Sequence, residues 1–394
     1  MALNGAVIVS ACRTPVGSFH GALASIPAPR LGAIVIKEAV RRAGIRGEDV
    51  QEVIMGNVIQ AGVGQAPARQ AAIFAGLPPS VECMTVNKVC GSGLKSVMLA
   101  AQAVILGDAD IVVAGGMESM SNAPYMLDKA RDGYRVGNGE LQDAIMRDGL
   151  VDVYNNFPMG NAAEVCAREM RITRAMQDEY AVMSYTRAQE AQKAGRFKPE
   201  IVGVEIRGRK GDVSLVVDDE DVFKTDFARI PSLKPAFAKD GTVTAANASK
   251  INDGAAALVV MSEARAGQLG CKPLARIVAQ GSFAKDPLWF TTAPADVITK
   301  VLKKAGLSLA QIDLFEVNEA FAVVALAVKA IIGLDLERLN VNGGGVAIGH
   351  PLGASGARIL VTLLYAMEQR NARRGLAALC IGGGEGTALI VERL

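Results

Sequence analysis

Four residues have the types and settings that acyl chemistry needs. Cys90 lies in VNKVCGSGLKS, between the strand-like MTVNKV and an apolar, helix-forming run. A cysteine at a helix N-terminus faces the positive end of the helix dipole and free backbone N–H groups, which favour its thiolate. The same segment also reads as a buried cysteine acting as a small hydrophobe. His350 stands in NGGGVAIGHPLGASG, and a cysteine with a nearby histidine is a nucleophile with its base. Cys380 ends an apolar strand in LAALCIGGGEG, just before three glycines. Strand ends of open α/β sheets commonly carry functional groups, although a core cysteine would look similar. Asn318, in FEVNEAF, follows another apolar strand, and its purely structural role would be to cap the helix that follows. His20, in GSFHGAL, reads as a surface or turn residue.

A hidden duplication gives a reason for these residues to meet. Residues 39–54, AVRRAGIRGEDVQEVI, echo residues 301–317, VLKKAGLSLAQIDLFEV. Each is a basic amphipathic helix end, an Ala-Gly pair, a short connection and an apolar strand. Cys90-Gly-Ser-Gly opens a helix followed by the strand ADIVVAGG, and His350-Pro-Leu-Gly-Ala-Ser-Gly opens a helix followed by LAALCIGGG. Ser92-Gly93 and Ser355-Gly356 are 263 positions apart. GAAALVVMSE at 254–263 matches the final GTALIVERL. Duplicated halves packed about a two-fold would bring the Cys90 and His350 loops together. In the first half the repeat is interrupted, so residues 119–250 read as an inserted loop domain. Its middle, AMQDEYAVMSYTRAQEAQKAG, has helical spacing. The expected boundaries are 1–118 plus 251–270 for the first half, 119–250 for the insertion and 271–394 for the second half. Strand–helix alternation predicts mostly parallel, helix-covered sheets in an α/β fold.

Composition sets limits. The chain has 394 residues, half of them hydrophobic and only 5% aromatic, so its core must be built from small aliphatic side chains. Lys plus Arg number 42 and Asp plus Glu 40, a net charge of +2 that supports neither a nucleic-acid nor a membrane surface. No apolar run approaches the roughly 20 residues of a membrane helix. The N-terminal residues lack a secretory layout, so the cytoplasm is the expected location. Six cysteines without a CxxC pair, and only two histidines, argue against a disulfide framework or a structural zinc site.

Together, NKVCGSGLKS, AGGMESMSNAPY, NASKINDGAA, NEAFA, GHPLGASGAR and CIGGG resemble the thiolase family, most closely its acetoacetyl-CoA thiolases. The resemblance covers the whole chain. It implies the family's five-layered αβαβα fold and a homotetramer, a dimer of dimers. It also implies reversible Claisen condensation of two acetyl-CoA to acetoacetyl-CoA and CoA. Cys90 would carry the acetyl group, His350 would accept the Cys90 proton, and Cys380 would take a proton from the second acetyl-CoA. One oxyanion hole would use His350 with a water held by Asn318; the other would use backbone N–H groups of Cys90 and Gly382. No cofactor is obligatory, since CoA is substrate and product.

The resemblance nominates Lys224, Asp226, Arg229, Met159, Phe237 and Ser249 as CoA contacts. KTDFARIPSLKPAF (224–237) combines basic groups with an apolar strip, which suits phosphates and pantetheine. Tyr185, Ala245, Ala246, Ala248 and Val346 match positions that hold K⁺, largely through carbonyls, in potassium-activated acetoacetyl-CoA thiolases. Two positions depart from the short-chain pattern. Pro158 stands where short-chain enzymes often carry His before Met-Gly, as in thiolases for longer 3-ketoacyl-CoAs. Glu385 replaces the Met often found after CIGGG. A 3-ketoacyl-CoA thiolase of broader chain length is therefore the main rival. A decarboxylating ketoacyl synthase would pair its cysteine with His-His or His-Asn instead, and a non-catalytic scaffold would not need every reactive position filled.

Overall fold

The computed structural model describes residues 5–208 and 211–394. Nine strands carry the main sheet: β1 (Ala6–Arg13), β2 (Glu52–Gly56), β3 (Glu82–Val86), β4 (Ile111–Ser119), β5 (Asn252–Ser262), β6 (Ala275–Ala284), β7 (Leu314–Val317), β8 (Arg374–Ile381) and β9 (Glu385–Glu392). A short tenth strand, Gly17–Ser18, pairs with β5. The helices that position the site are α1 (Ala28–Ala43), α2 (Pro67–Phe74), α3 (Ser92–Leu106), α4 (Met159–Glu169), α5 (Arg174–Lys193), α6 (Ala293–Ala305), α7 (Ala322–Ile332) and α8 (Leu352–Gln369).

The strand order is β7-β8-β9-β6-β1-β5-β4-β2-β3. Read from its centre, this is the same series twice: β1, β5, β4, β2 on one side and β6, β9, β8, β7 on the other. An isolated parallel bridge from Phe315 to Leu339 takes the place of β3 in the second half. The sequence repeats at 39–54 and 301–317 thus end in β2 and β7, equivalent strands.

The expectation of mostly parallel sheets is corrected. Only β2/β3, β2/β4 and β7/β8 pair in parallel. The five junctions β4/β5, β5/β1, β1/β6, β6/β9 and β9/β8 are antiparallel. Two causes act. In the second half, a turn at Gly382–Gly384 is too short for a crossover helix, so β9 must return antiparallel to β8. The halves also meet through equivalent strands, β1 and β6, and a two-fold relation makes equivalent strands run in opposite directions.

The layers follow from burial. α1 and α2 cover the outer face of the first half, and α6 and α7 that of the second. α3 and α8 are packed between the two halves, in a core dominated by Ala, Val and Leu. The apolar stretch Val89–Leu106 is therefore a core helix, long and apolar enough for a membrane by composition but mostly buried in the protein. The α3–α8 crossing occurs at the duplicated glycines. A Cβ on Gly356 would lie 2.3 Å from Leu94 N, and one on Gly93 would lie 2.7 Å from Ala357 N. Any side chain there would push the helices, and the loops at their N-termini, apart.

The insertion runs between Ser119 and Asn252 and contains α4, α5 and three two-stranded sheets. α5 is the helix expected from its spacing. Thr173 caps it by accepting from Met176 N at 3.3 Å. One buried carboxylate binds α5 to the second half. Glu319 accepts from Tyr180 Oη at 2.8 Å, Ser184 Oγ at 2.7 Å, Asn340 Nδ2 at 2.8 Å and Val346 N at 3.1 Å. This tie holds the glycine-rich segment that delivers His350.

Candidate active site

Cys90 sits on a tight turn immediately before α3. Its preceding residue, Val89, has φ +45°, an unfavourable conformation for a β-branched residue. The surroundings hold it there. Ser92 Oγ donates to Val89 O at 2.7 Å and accepts from Lys88 N at 2.8 Å, while Asn87 Oδ1 accepts from Val89 N at 3.0 Å. The Asn87 and Ser92 side chains thus fix the backbone that presents Cys90. Strain of this kind persists only where the surroundings over-determine it, and it clusters at functional sites.

The second glycine-rich turn meets the first. A Cβ on Gly382 would lie 3.8 Å from Val89 Cγ1, and one on Gly91 would overlap Ile381 Cδ1 at 2.4 Å. Backbone N–H groups of Gly382 and of Cys90 itself point at the Cys90 thiol. Cys380 lies close enough to Cys90 for a Cys90 thiolate to disfavour its ionisation. The Ala320 N–H, just past Asn318, also faces Cys380.

The thiols are not preformed thiolates, contrary to the expectation from the helix dipole. Burial pushes the Cys90 thiol up to about 11 and outweighs the lowering by the Gly382 and Cys90 N–H groups; Glu118 adds a smaller upward push. Burial also holds the Cys380 thiol well above the ordinary range, followed by the proximity of Cys90. Both are therefore SH groups at neutral pH and need a base. Alkylation of Cys90 by iodoacetamide should accordingly rise about tenfold per pH unit through neutrality, because only the thiolate reacts. Peptide mapping against pH checks this. A rate already level by about pH 7 would show an ion pair formed in advance.

His350 is buried, and burial first and then the Arg358 charge lower its pKa to about 3. The imidazole is neutral at working pH, as a base must be. Its tautomer follows from its neighbours. Ser355 Oγ donates to Pro351 O at 2.8 Å, which commits its one hydrogen. The same oxygen lies 2.5 Å from His350 Nδ1, so Nδ1 carries the hydrogen and Nε2 is free to accept one. Asn318 Nδ2 lies 3.4 Å from Nε2, and Asn318 Oδ1 accepts from Arg358 Nη2 at 3.5 Å. Asn318 is therefore not the helix cap it resembled: Phe321 occupies that place, and the Asn318 amide faces the imidazole.

Three supporting residues were not singled out from the sequence. Asn252 Oδ1 accepts from His350 N at 2.9 Å, and Glu118 accepts from Gly353, Val58 and Ile59 N–H groups at 2.8, 3.0 and 3.2 Å. Ser355 sets the imidazole. The signal for Ser355 was its place one helical turn after Pro351. Asn252 and Glu118 gave no signal beyond lying in motifs, since their partners are far away in sequence. His20 is an exposed turn residue, as expected.

A largely apolar cavity of about 330 Å³ leads to His350. Met159, Phe237, Ser249, Ala245 and Ala248 line it with Leu352. Leu352 belongs to the apolar cluster against which Val89 and Cys90 pack. Gly160 is required at the wall, because a Cβ there would overlap the Phe237 ring at 2.3 Å. Lys224, Asp226 and Arg229 stand outside this lining. Lys224 Nζ is already bound to Glu220 at 2.7 Å and Ser18 Oγ at 2.6 Å, and Asp226 caps a short helical turn by accepting from Ala228 N at 3.0 Å.

Taken together, fold and site define a thiol-dependent acyl-transfer protein built from two equivalent α/β halves. The chain matches the models for the thiolase N-terminal domain over residues 6–264 and the thiolase C-terminal domain over residues 271–393. It belongs to the thiolase family. It is 57% identical over 392 residues to the acetyl-CoA acetyltransferase of Cupriavidus necator, covering 99% of this chain and 100% of the relative. It is 54% identical to that of Schizosaccharomyces pombe, covering 98% of each. The crystal structure of the Bacillus anthracis acetyl-CoA acetyltransferase superposes with a TM-score of 0.98 at 43% identity, covering all of both chains.

Proposed function

We propose that this chain is an acetyl-CoA C-acetyltransferase, joining two acetyl-CoA into acetoacetyl-CoA and CoA and running the reverse thiolysis. The observation that carries the reading is the meeting of Cys90 with Gly382 and Cys380 on two touching turns. Cys90 attacks the thioester carbon of acetyl-CoA while His350 Nε2 takes its proton. The departing CoA sulfur takes up the Cys380 proton, which leaves Cys380 as a base. Cys380 then removes a proton from the methyl carbon of a second acetyl-CoA. That carbanion attacks acetyl-Cys90, and the Cys90 sulfur leaves with the proton held by His350. The Cys90 and Gly382 N–H groups would stabilise one oxyanion, and the His350 edge with the Asn318 amide the other. Met159, Phe237 and Ser249 would hold the pantetheine arm, with Lys224, Asp226 and Arg229 further out toward the nucleotide.

The names of the close relatives favour two-carbon transfer over the broader 3-ketoacyl-CoA reading that Pro158 raised. We place the protein in the cytoplasm as a dimer of dimers. The exposed Tyr125, Leu127, Tyr134 and Leu141 of the insertion give it apolar surface for assembly.

The K⁺ donor set fits in part. Tyr185 Oη is buried without a hydrogen-bond partner among the described residues, and Val346 packs in the same cluster. Ala245 and Ala248 line the neighbouring cavity wall. A K⁺ there would order the 245–249 loop through its carbonyls. The Lys250 ammonium, 4.8 Å from the Tyr185 ring centroid, is a resident cation in the same corner. One experiment covers both finer points: kcat/KM for acetoacetyl-CoA against an eight-carbon or longer 3-ketoacyl-CoA, with K⁺ or choline, and with melting curves in each salt. Activity concentrated on acetoacetyl-CoA, with K⁺ raising both rate and Tm, is the expected result. Comparable activity on the long substrate would return the broader reading. Indifference to K⁺ would leave Lys250 as the only cation there.

A further inference from the structure

Glu385 has no place in the chemistry above, yet it stands beside it. It opens β9 and pairs in register with Ile381 across the three-glycine turn. Its carboxylate forms an ion pair with the Lys88 ammonium, from the opposite half of the duplication. Lys88 precedes Cys90 by two residues, and Glu385 follows Gly382 by three. The pair therefore spans the two turns whose spacing sets the distance from the Gly382 N–H to the Cys90 sulfur.

Little else bridges that gap by directed bonds. Among the described residues, the Cys90 turn closes on itself, Gly91 N donating to Lys88 O and Ser92 N to Val89 O, each at 3.0 Å. The glycine turn is held on its far side, where Lys285 N donates to Gly384 O at 2.8 Å. Between the turns, the Gly382 N–H directed at the Cys90 sulfur is the contact whose length must be kept, and the rest are van der Waals contacts of Val89 and Ile381 with glycines, which can slide. Gly383 and Gly384, at φ +91° and +85°, make the second turn pliable.

We propose that Lys88–Glu385 is a clamp across the two active-site turns, a positioning pair that keeps the Gly382 N–H on the developing oxyanion during transfer to and from Cys90. This rests on Cys90 being the nucleophile. The side chains are 23% and 36% exposed, so the pair contributes little to global stability. Its effect belongs in the rate, where small displacements of a donor are costly.

The test is a double-mutant cycle of K88Q, E385Q and K88Q/E385Q. It reads the single-turnover rate of CoA release from acetyl-CoA, steady-state kcat and KM, and Tm. Each single variant is expected to lose about tenfold in acetylation rate and kcat, with KM and Tm nearly unchanged. The double variant should be no slower than either single. Singles within twofold of wild type, or losses that simply multiply in the double variant, would overturn the clamp. Failure of the wild-type enzyme to acetylate would instead sink the functional reading on which the clamp rests.

Discussion

Replacing Cys90 with alanine is expected to lower both condensation and thiolysis by on the order of 10⁴-fold or more, because removing the nucleophile leaves only binding and the oxyanion donors. CoA binding should survive, since the cavity wall of Met159, Phe237 and Ser249 is untouched. Structure should survive as well. The change removes one sulfur from a partly exposed turn whose geometry is fixed by Asn87 and Ser92. The measurements are steady-state rates in both directions and CoA affinity by calorimetry. A variant retaining a tenth of wild-type activity would require a direct transfer between two bound thioesters. A variant that also lost CoA binding would mean that the turn had collapsed and that the rate loss says nothing about nucleophilicity.

Replacing Cys380 with alanine should separate the two half-reactions. Proton transfer by a positioned group contributes roughly 10²–10⁴-fold, and that much should vanish from condensation and from thiolysis. Acetylation by acetyl-CoA should slow by less than about tenfold, because CoA, an ordinary thiol of pKa about 8.5, can leave without a donated proton. The variant should therefore release one CoA per enzyme in a burst and then stall. The environment of Cys380 supports the assignment. Burial and the neighbouring Cys90 raise its pKa, so its thiolate is an unusually strong base for a thiol. Such a base is matched to a weakly acidic carbon. Rapid-quench measurement of CoA release, followed by steady-state assay, distinguishes the outcomes. Equal loss of burst and turnover would mean that proton donation by Cys380 to the departing CoA already limits the first half-reaction. Undiminished turnover would remove it from the chemistry.

The sequence made much of this arrangement legible because the duplication is written in it. The spacing of Ser92-Gly93 and Ser355-Gly356 reports a real helix crossing, in which neither glycine could take a side chain. Both glycines lie near the N-terminal ends of their helices, so the crossing holds the two preceding loops, which carry Cys90 and His350, at the same end of the helix pair. Strand direction was less legible. Alternating strands and helices imply parallel pairing, but the hairpin at Gly382–Gly384 and the junction of β1 with β6 reverse it. Ionisation was misread for a related reason. A helix N-terminus is a local feature visible in sequence, whereas desolvation of Cys90 depends on the second half of the chain folding over it. The residues that orient others were the hardest to see. Asn252 and Glu118 act through backbone N–H groups 59 to 235 positions away. Asn318 resembled a cap because its sequence neighbours fit one, while the partners that decide its orientation, His350 and Arg358, come from another element. Glu385 had no meaning until its partner, Lys88, was placed beside it.

The acyl-enzyme can be tested directly. The Cys380→Ala protein, incubated with isotopically labelled acetyl-CoA and digested, should yield one labelled acetyl group on the peptide containing Cys90 and none on the four other remaining cysteines, Cys12, Cys83, Cys166 and Cys271. Wild-type enzyme given the same label and then chased with unlabelled acetyl-CoA should pass that group into acetoacetyl-CoA. A Cys90 peptide that remains unmodified while label reaches acetoacetyl-CoA would contradict transfer through this cysteine.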